Sequence, residues 1–194
     1  MLVKMRFSLN SGLGHAIASS SGAVQDWVYR ANDCFDPYAG AGGNQPRNFD
    51  QLMALFRHGI VVKSTIVADF FLNEKAATMY SMKVGVTLTD SSTSFGAAAH
   101  QDISEQPRSR AIILPAQAGA VRRILWSYTP KSFFAIKDAQ DEEDLYFTSS
   151  ASPTEQAAFH VWGYAMDSQT QEGFVSGYID YTVLMLHPIL PASS

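Results

Sequence analysis

The sequence predicts an all-β sandwich, on three observations. Apolar and polar residues alternate with a period of two through most of the chain, the pattern of half-buried strands. Turn residues separate these runs, and helical periodicity is confined to one short stretch. The chain has 194 residues, which suits one domain over 1–194; a sandwich of this size buries roughly 70% of its unfolded surface.

The first strand is read from Val3, Met5, Phe7 and Leu9 alternating with Lys4, Arg6, Ser8 and Asn10, with Gly12 and Gly14 breaking it. Val24 to Arg30 follows. Ile60 to Leu72 is long, with Lys63 and Asp69 on one face, and Ala77 to Thr89 comes after an Asn73-Glu74-Lys75 turn. Arg110 to Leu114 and Ala120 to Tyr128 flank a break at Pro115 to Gly119. Leu145 to Thr148 is short, and Ala158 to Met166 is rich in aromatics. The last strand aligns Val175, Gly177, Ile179, Tyr181, Val183 and Met185, and Pro188 and Pro191 end it because proline cannot donate to a ladder. Strands and helices do not alternate, which argues against a doubly wound α/β fold.

One short helix, about 49–57, is expected. Phe49, Leu52, Met53 and Phe56 recur at helical spacing. Asn48 is placed as N-cap, Gln51 as its capping-box partner and Gly59 as the C-terminal stop.

Charge is scarce: 16% of residues, against 46% hydrophobic and 12% aromatic. Average usage is roughly 25% charged, so much of the outer surface is expected to lie against a partner, since obligate interfaces resemble a core cut in half. The net charge of -4 hides a polarity. Residues 1–137 hold 14 basic and 9 acidic groups, a net of +5; residues 138–194 hold 9 acidic groups and no Lys or Arg, a net of -9. Asp138 to Asp144 supplies five of those acids, as a solvated turn or as one pole of a domain that orients subunits in an assembly.

Catalytic and cofactor chemistry find little footing. His15, His58, His100, His160 and His187 form no His-x-His pair and no pair three or four residues apart, so no metal site is expected. His160, beside Phe159 and Trp162, reads as a hydrogen-bonded structural residue. Gly12-Leu13-Gly14 lacks the third glycine and the βαβ unit of a dinucleotide fingerprint, and the glycines at 40–43 lack the Gly-Lys-Ser/Thr ending of a phosphate loop. Cys34, the only cysteine, lies near Asp33 and Asp36, whose charge would suppress a thiolate; the same pair gives a calcium ion only weak support. No catalytic residue, cofactor or membrane-spanning segment is expected. The basic residues Lys4, Arg6, Arg122 and Arg123 are candidates to face nucleic acid, although no run of five or more basic residues exists.

The segment from Trp27 to Asn73 is more specific. It runs Arg30-Ala31-Asn32-Asp33-Cys34-Phe35-Asp36-Pro37, a glycine loop, Gly43-Asn44-Gln45-Pro46-Arg47-Asn48-Phe49-Asp50-Gln51-Leu52, then Val61-Val62-Lys63-Ser64-Thr65-Ile66. In order and spacing this resembles coat proteins of small circular single-stranded DNA viruses that encode a replication initiator, the circovirus-like group. A weaker likeness extends through Ser127-Tyr128-Thr129-Pro130-Lys131, Ser152-Pro153 and the Tyr181 to Met185 strand. The resemblance implies an eight-stranded antiparallel jelly roll. It also implies a small icosahedral shell of copies of this chain enclosing a single-stranded DNA genome in the virion. Asn32, Phe35, Asp36, Pro37, Tyr38, Gln45, Pro46, Asp50, Gln51 and Phe56 then become subunit-interface candidates. Such coat proteins usually begin with a long Arg/Lys-rich arm, whereas Lys4 and Arg6 are the only basic residues here before Arg30. The alternatives are the shell of a small RNA virus, a lectin-like jelly roll stacking sugars on Trp27, Trp126 or Trp162, and a cupin-type enzyme, which the missing His-x-His disfavours.

Overall fold

Antiparallel pairing organises the chain into two packed sheets. A computed structural model describes residues 1–9, 15–19, 23–41, 44–73, 79–96, 100–166 and 171–189. The strands are β1 (Leu2–Ser8), β2 (His15–Ser19), β3 (Gln25–Arg30), β4 (Phe56–Leu72), β5 (Met82–Thr89), β6 (Ser109–Leu114), β7 (Val121–Tyr128), β8 (Tyr146–Phe147), β9 (Ala158–Ala165) and β10 (Gln171–Pro188). The first sheet runs β1-β10-β4-β7, with β2 added to β10 and β8 to β4; the second runs β3-β9-β5-β6.

Within these sheets β1 pairs with β10, β3 with β9, β4 with β7 and β5 with β6. That nested pairing is an eight-strand ribbon folded back on itself and wrapped into a sandwich, the double Greek key of a jelly roll. Both inner faces supply the core, in which Phe7, Tyr29, Ile66, Phe70, Val86, Phe159, Ile179 and Tyr181 are buried.

The long strands hold register through local devices. A bulge between Thr182 and Val183 absorbs one residue of the β10–β4 ladder. Gly177 has φ 144°, and a Cβ there would lie 1.9 Å from the Val67 carbonyl oxygen, so only glycine lets the two central strands approach.

The helix expected over 49–57 is shorter than its periodicity suggests. The observed α1 is Phe49–Met53, and Asn48, with φ 67°, sits in the left-handed region and makes no side-chain capping bond. Phe56 belongs to β4, where it pairs with Pro188. Gly59 is also within β4 and terminates nothing; the Phe147 ring lies so close that a Cβ would come within 2.4 Å of it. Backbone pairing with β10 and β8 thus takes over the second half of the helical pattern. Two further helices, α2 (His100–Glu105) and α3 (Pro130–Phe133), cover connections, and Thr129 caps α3 by accepting the Ser132 N–H. Gly12 and Gly14, expected to break the first strand, lie outside the described residues, and the additional strand β2 comes after them. The turn expected at residues 73–75 falls mostly outside the described residues. Among the described residues no helix is long and apolar enough to cross a membrane.

Candidate assembly and nucleic-acid surfaces

The outward face of the first sheet is laid out by register. Lys4, Thr182 and Lys63 form one row; Arg6, Asp180, Thr65 and Ser127 the next; then Ser8, Tyr178, Val67 and Leu125. Beyond these come Ser176, Asp69 and Arg123, and finally Phe174, Phe71 and Val121. Two of the predicted nucleic-acid residues are committed internally. Arg6 donates from Nε and Nη2 to both Asp180 oxygens at 2.6 and 2.8 Å and lies 3.8 Å over the Tyr178 ring. Arg123 grips Asp69 in the same way, with both contacts at 2.7 Å. These exposed forks hold the sheet face in order and present little uncompensated charge.

Lys4 and Lys63 make no ion pair among the described residues, and they line a cleft of about 470 Å³ with Thr65, Asp180 and Thr182. Lys4 and Arg6 also border a second cleft with Arg47 and Gln45. Sequence reasoning put Lys63 and Asp69 on one face of their strand and missed the place of Lys63 beside Lys4, because a neighbour across two strands is set by register and leaves no local pattern. Arg122, at the exposed start of β7, bonds only the adjacent Val121 carbonyl oxygen among the described residues.

The predicted interface loop is folded largely onto its own sandwich. Asn32 is buried: its amide donates to the Glu155 carbonyl oxygen at 2.8 Å and its Oδ1 accepts the Ala157 N–H at 2.9 Å. Pro37 and Pro46 are buried too, and the Pro37 carbonyl oxygen accepts the Arg30 N–H at 2.7 Å. Within the chain those three residues act as intramolecular supports. The Arg30 guanidinium reaches both the carbonyl and the carboxylate of Asp36, and Tyr38 packs between Tyr29 and Trp27. Phe35 packs on Phe49. Gln45, Asp50 and Gln51 remain exposed, while Phe35, Asp36, Tyr38 and Phe56 are half-buried.

The weak cation reading of Asp33 and Asp36 does not fit this arrangement. Asp36 is spent on Arg30, and Asp33 turns inward, with Oδ1 accepting the Phe35 N–H and Oδ2 unpartnered. Burial pushes the Asp33 carboxyl above its ordinary range and the buried Cys34 thiol well above its own. Among the described residues no group of three or more His, Cys, Asp or Glu could hold a metal ion.

A buried polar cluster on the second sheet was legible only in part. His160 is enclosed, as a structural histidine should be: Nδ1 lies 2.7 Å from Asp26 Oδ2, and Nε2 lies 2.9 Å from the Ser91 carbonyl oxygen and 3.0 Å from Thr89 Oγ1. Asp26 also accepts from the Ser94 hydroxyl and the Phe95 N–H, and the Phe95 ring stacks on His160 at 4.2 Å. Burial works against the Asp26 carboxylate, but hydrogen bonds from His160, Ser94 and Phe95 outweigh it and hold the group below its ordinary pKa.

The order Asp–His–Thr has the outline of a nucleophilic triad, yet the proton directions differ. Both imidazole nitrogens face oxygen acceptors, and the Thr89 hydroxyl donates to the Ser91 carbonyl at 2.8 Å. The ring is thus placed to donate to the loop and is not free to draw a proton from Thr89. The cluster fastens the β5–β6 connection over the sheet. Ser91 to Ser94 carry no local sign of this role, because their anchor, Asp26, lies 65 residues or more away in the chain.

No protein-family model and no curated protein sequence matches the chain. Among solved structures it is similar to that of Desmodium yellow mottle tymovirus (12% identity, 100% of this chain and 91% of that one, TM-score 0.43). It is also similar to turnip yellow mosaic virus (12%, 100% and 98%, 0.45) and to a semi-empty VLP of the giant freshwater prawn Macrobrachium rosenbergii nodavirus (11%, 98% and 98%, 0.45). At identities this low and scores below one half, these likenesses say nothing of this chain's partners or cargo.

Proposed function

We propose that this chain is a structural subunit that packs against copies of itself into a small icosahedral virus shell. The observation that carries the reading is the coat-protein motif string over Trp27 to Asn73, on a chain whose strands wrap as a double Greek key. Scarce charge supports it, as do large apolar residues left exposed at two separate places, Leu2 and Leu55 at one and Ile113 and Val121 at the other. Surface of that kind is costly for a free monomer and useful to a subunit. Sedimentation and electron microscopy of purified protein test this: closed particles are expected, and a chain that stays monomeric through every salt and pH screened would sink the proposal.

The cargo on this reading is single-stranded nucleic acid held by the Lys4–Lys63 face, with DNA favoured by the motif string alone. DNase and RNase digestion of particle contents separates it from an RNA cargo. A lectin-like role finds less support. Trp162 is fully buried and gives its Nε1–H to Thr87, while Trp27 is half-buried and gives its own to the Ala16 carbonyl oxygen, so neither offers a free face for a sugar.

A further inference from the structure

Two ends of the sandwich carry unbalanced charge of opposite sign. At one end, Asp138, Asp141, Glu142, Glu143 and Asp144 are all exposed on two successive 3₁₀ turns, and none forms an ion pair among the described residues. The turns are held firmly: the Asp138 carboxylate accepts the Gln140 N–H at 3.0 Å, and the Tyr146 hydroxyl donates to the Gln140 carbonyl oxygen. The crowding of acids here raises the Tyr146 pKa, after a larger effect of its partial burial. Residues 136–140 share a cleft with Leu184, the strand neighbour of Leu2, which is 63% exposed; Lys131 and Lys137 line the same cleft, so five acids stand against two lysines at this end.

At the other end, the edge strands β6 and β7 carry Arg110 and Arg122, both exposed and, among the described residues, bonded only to backbone carbonyl oxygens. Ile113 and Val121 flank this edge, 54% and 53% exposed and pointing outward from the second and the first sheet respectively, and among the described residues the outer edge of each strand has no partner in its sheet.

These ends cannot neutralise each other within one molecule. Strand β4 meets β8, next to the acidic turns, at Gly59 and meets β7 at Phe71 opposite Val121. Twelve residues of extended chain separate the two by roughly 35–40 Å. An edge that carries two arginines between exposed apolar residues at one end of a molecule is complementary to the acidic turns near exposed Leu2 at the other end of a second copy placed head to tail. Such heterologous contacts are the kind that close into rings and shells.

We propose that the β6–β7 edge of one copy receives the 138–144 turns of the next, with Arg110 and Arg122 facing Glu142 and Glu143. This rests on the self-assembly reading and names the contact. Charge reversal tests it. Arg110→Glu with Arg122→Glu, or Glu142→Lys with Glu143→Lys, is expected to raise the protein concentration needed for assembly by about tenfold or more, since like charges then meet. Mixing the two reversed proteins should give alternating contacts and only partial recovery, whereas combining all four substitutions in one chain should restore assembly. Circular dichroism and thermal unfolding of each variant exclude misfolding. If the wild type assembles and both reversals assemble equally well, or if the four-fold variant regains nothing, this contact is wrong while the shell reading stands. A wild type that never assembles overturns both.

Discussion

On the second sheet the outward residues of β9 are enclosed by the chain itself; on the first, the outward residues of β10 and β7 meet solvent. Seven of the eight residues of β9 are buried, on both faces, because the β5–β6 connection lays Phe95 and Ile103 over Trp162 while Asp26 and His160 bind its backbone. In β10, by contrast, most residues alternate between buried and half-buried, and its outward side is ordered by exposed Arg–Asp forks. A sheet buried on both sides gains stability from its cover; a sheet buried on one keeps an open face for a partner. The difference separates residues that hold the fold from residues free to serve assembly or cargo.

The largest effects should come from the covered side and from the central strand pair. Trp162→Ala empties a fully buried site and should cost about 3–5 kcal/mol, read as a fall in the urea midpoint. Gly177→Ala at the β10–β4 crossing should destabilise by about 3 kcal/mol or more, since its Cβ would meet the Val67 carbonyl. Next comes the buried pair. Asp26→Ala removes the hydrogen-bond partner of the buried His160 Nδ1 and should cost about 1–3 kcal/mol. The folded-state pKa of Asp26 lies below its unfolded value, so its contribution is full above about pH 4 and is lost as pH falls through the lowered folded value. Urea midpoints measured down the acid range should therefore drop for wild type and less steeply for Asp26→Asn; parallel curves would remove this account.

A smaller effect of opposite sign is expected at Asp33, whose carboxyl burial raises. Its cost appears as pH rises past the unfolded carboxylate value, so Asp33→Asn should show a higher midpoint than wild type at pH 7, with the gap closing near pH 4. On the open side, Arg123→Ala should leave the unfolding curve unchanged within error, because its pairing is solvent-exposed. Lys4→Ala and Lys63→Ala should likewise keep the fold. Each should lower the salt slope of single-stranded oligonucleotide binding by roughly 0.7. Equal slopes in wild type and both variants would detach cargo from this face.

Much of the architecture was readable from local chemistry. Alternation in β1, β4, β7 and β10 marks which residues face the core, because a pleated strand must send neighbours to opposite sides and only one side of the first sheet is dry. The resemblance over Trp27 to Asn73 implied a jelly roll, and the strand order has that form. The aromatic run of β9 announced a strand without saying that its outer face would need a lid.

Tertiary structure decided the rest. Whether Phe56 to His58 is helix or strand depends on β10 offering partners more than 125 residues away. Asn32 looked available for a neighbour and is consumed by residues 155–157 of its own chain. Lys4 lies beside Lys63, and Asp26 meets His160, only once register and sheet order are set. Period and turn chemistry act over a few residues, and a sequence states them directly. Which face stays open is settled by contacts between segments far apart in the chain, and it is those contacts that cover β9 on both sides and leave the outward side of β7 to solvent.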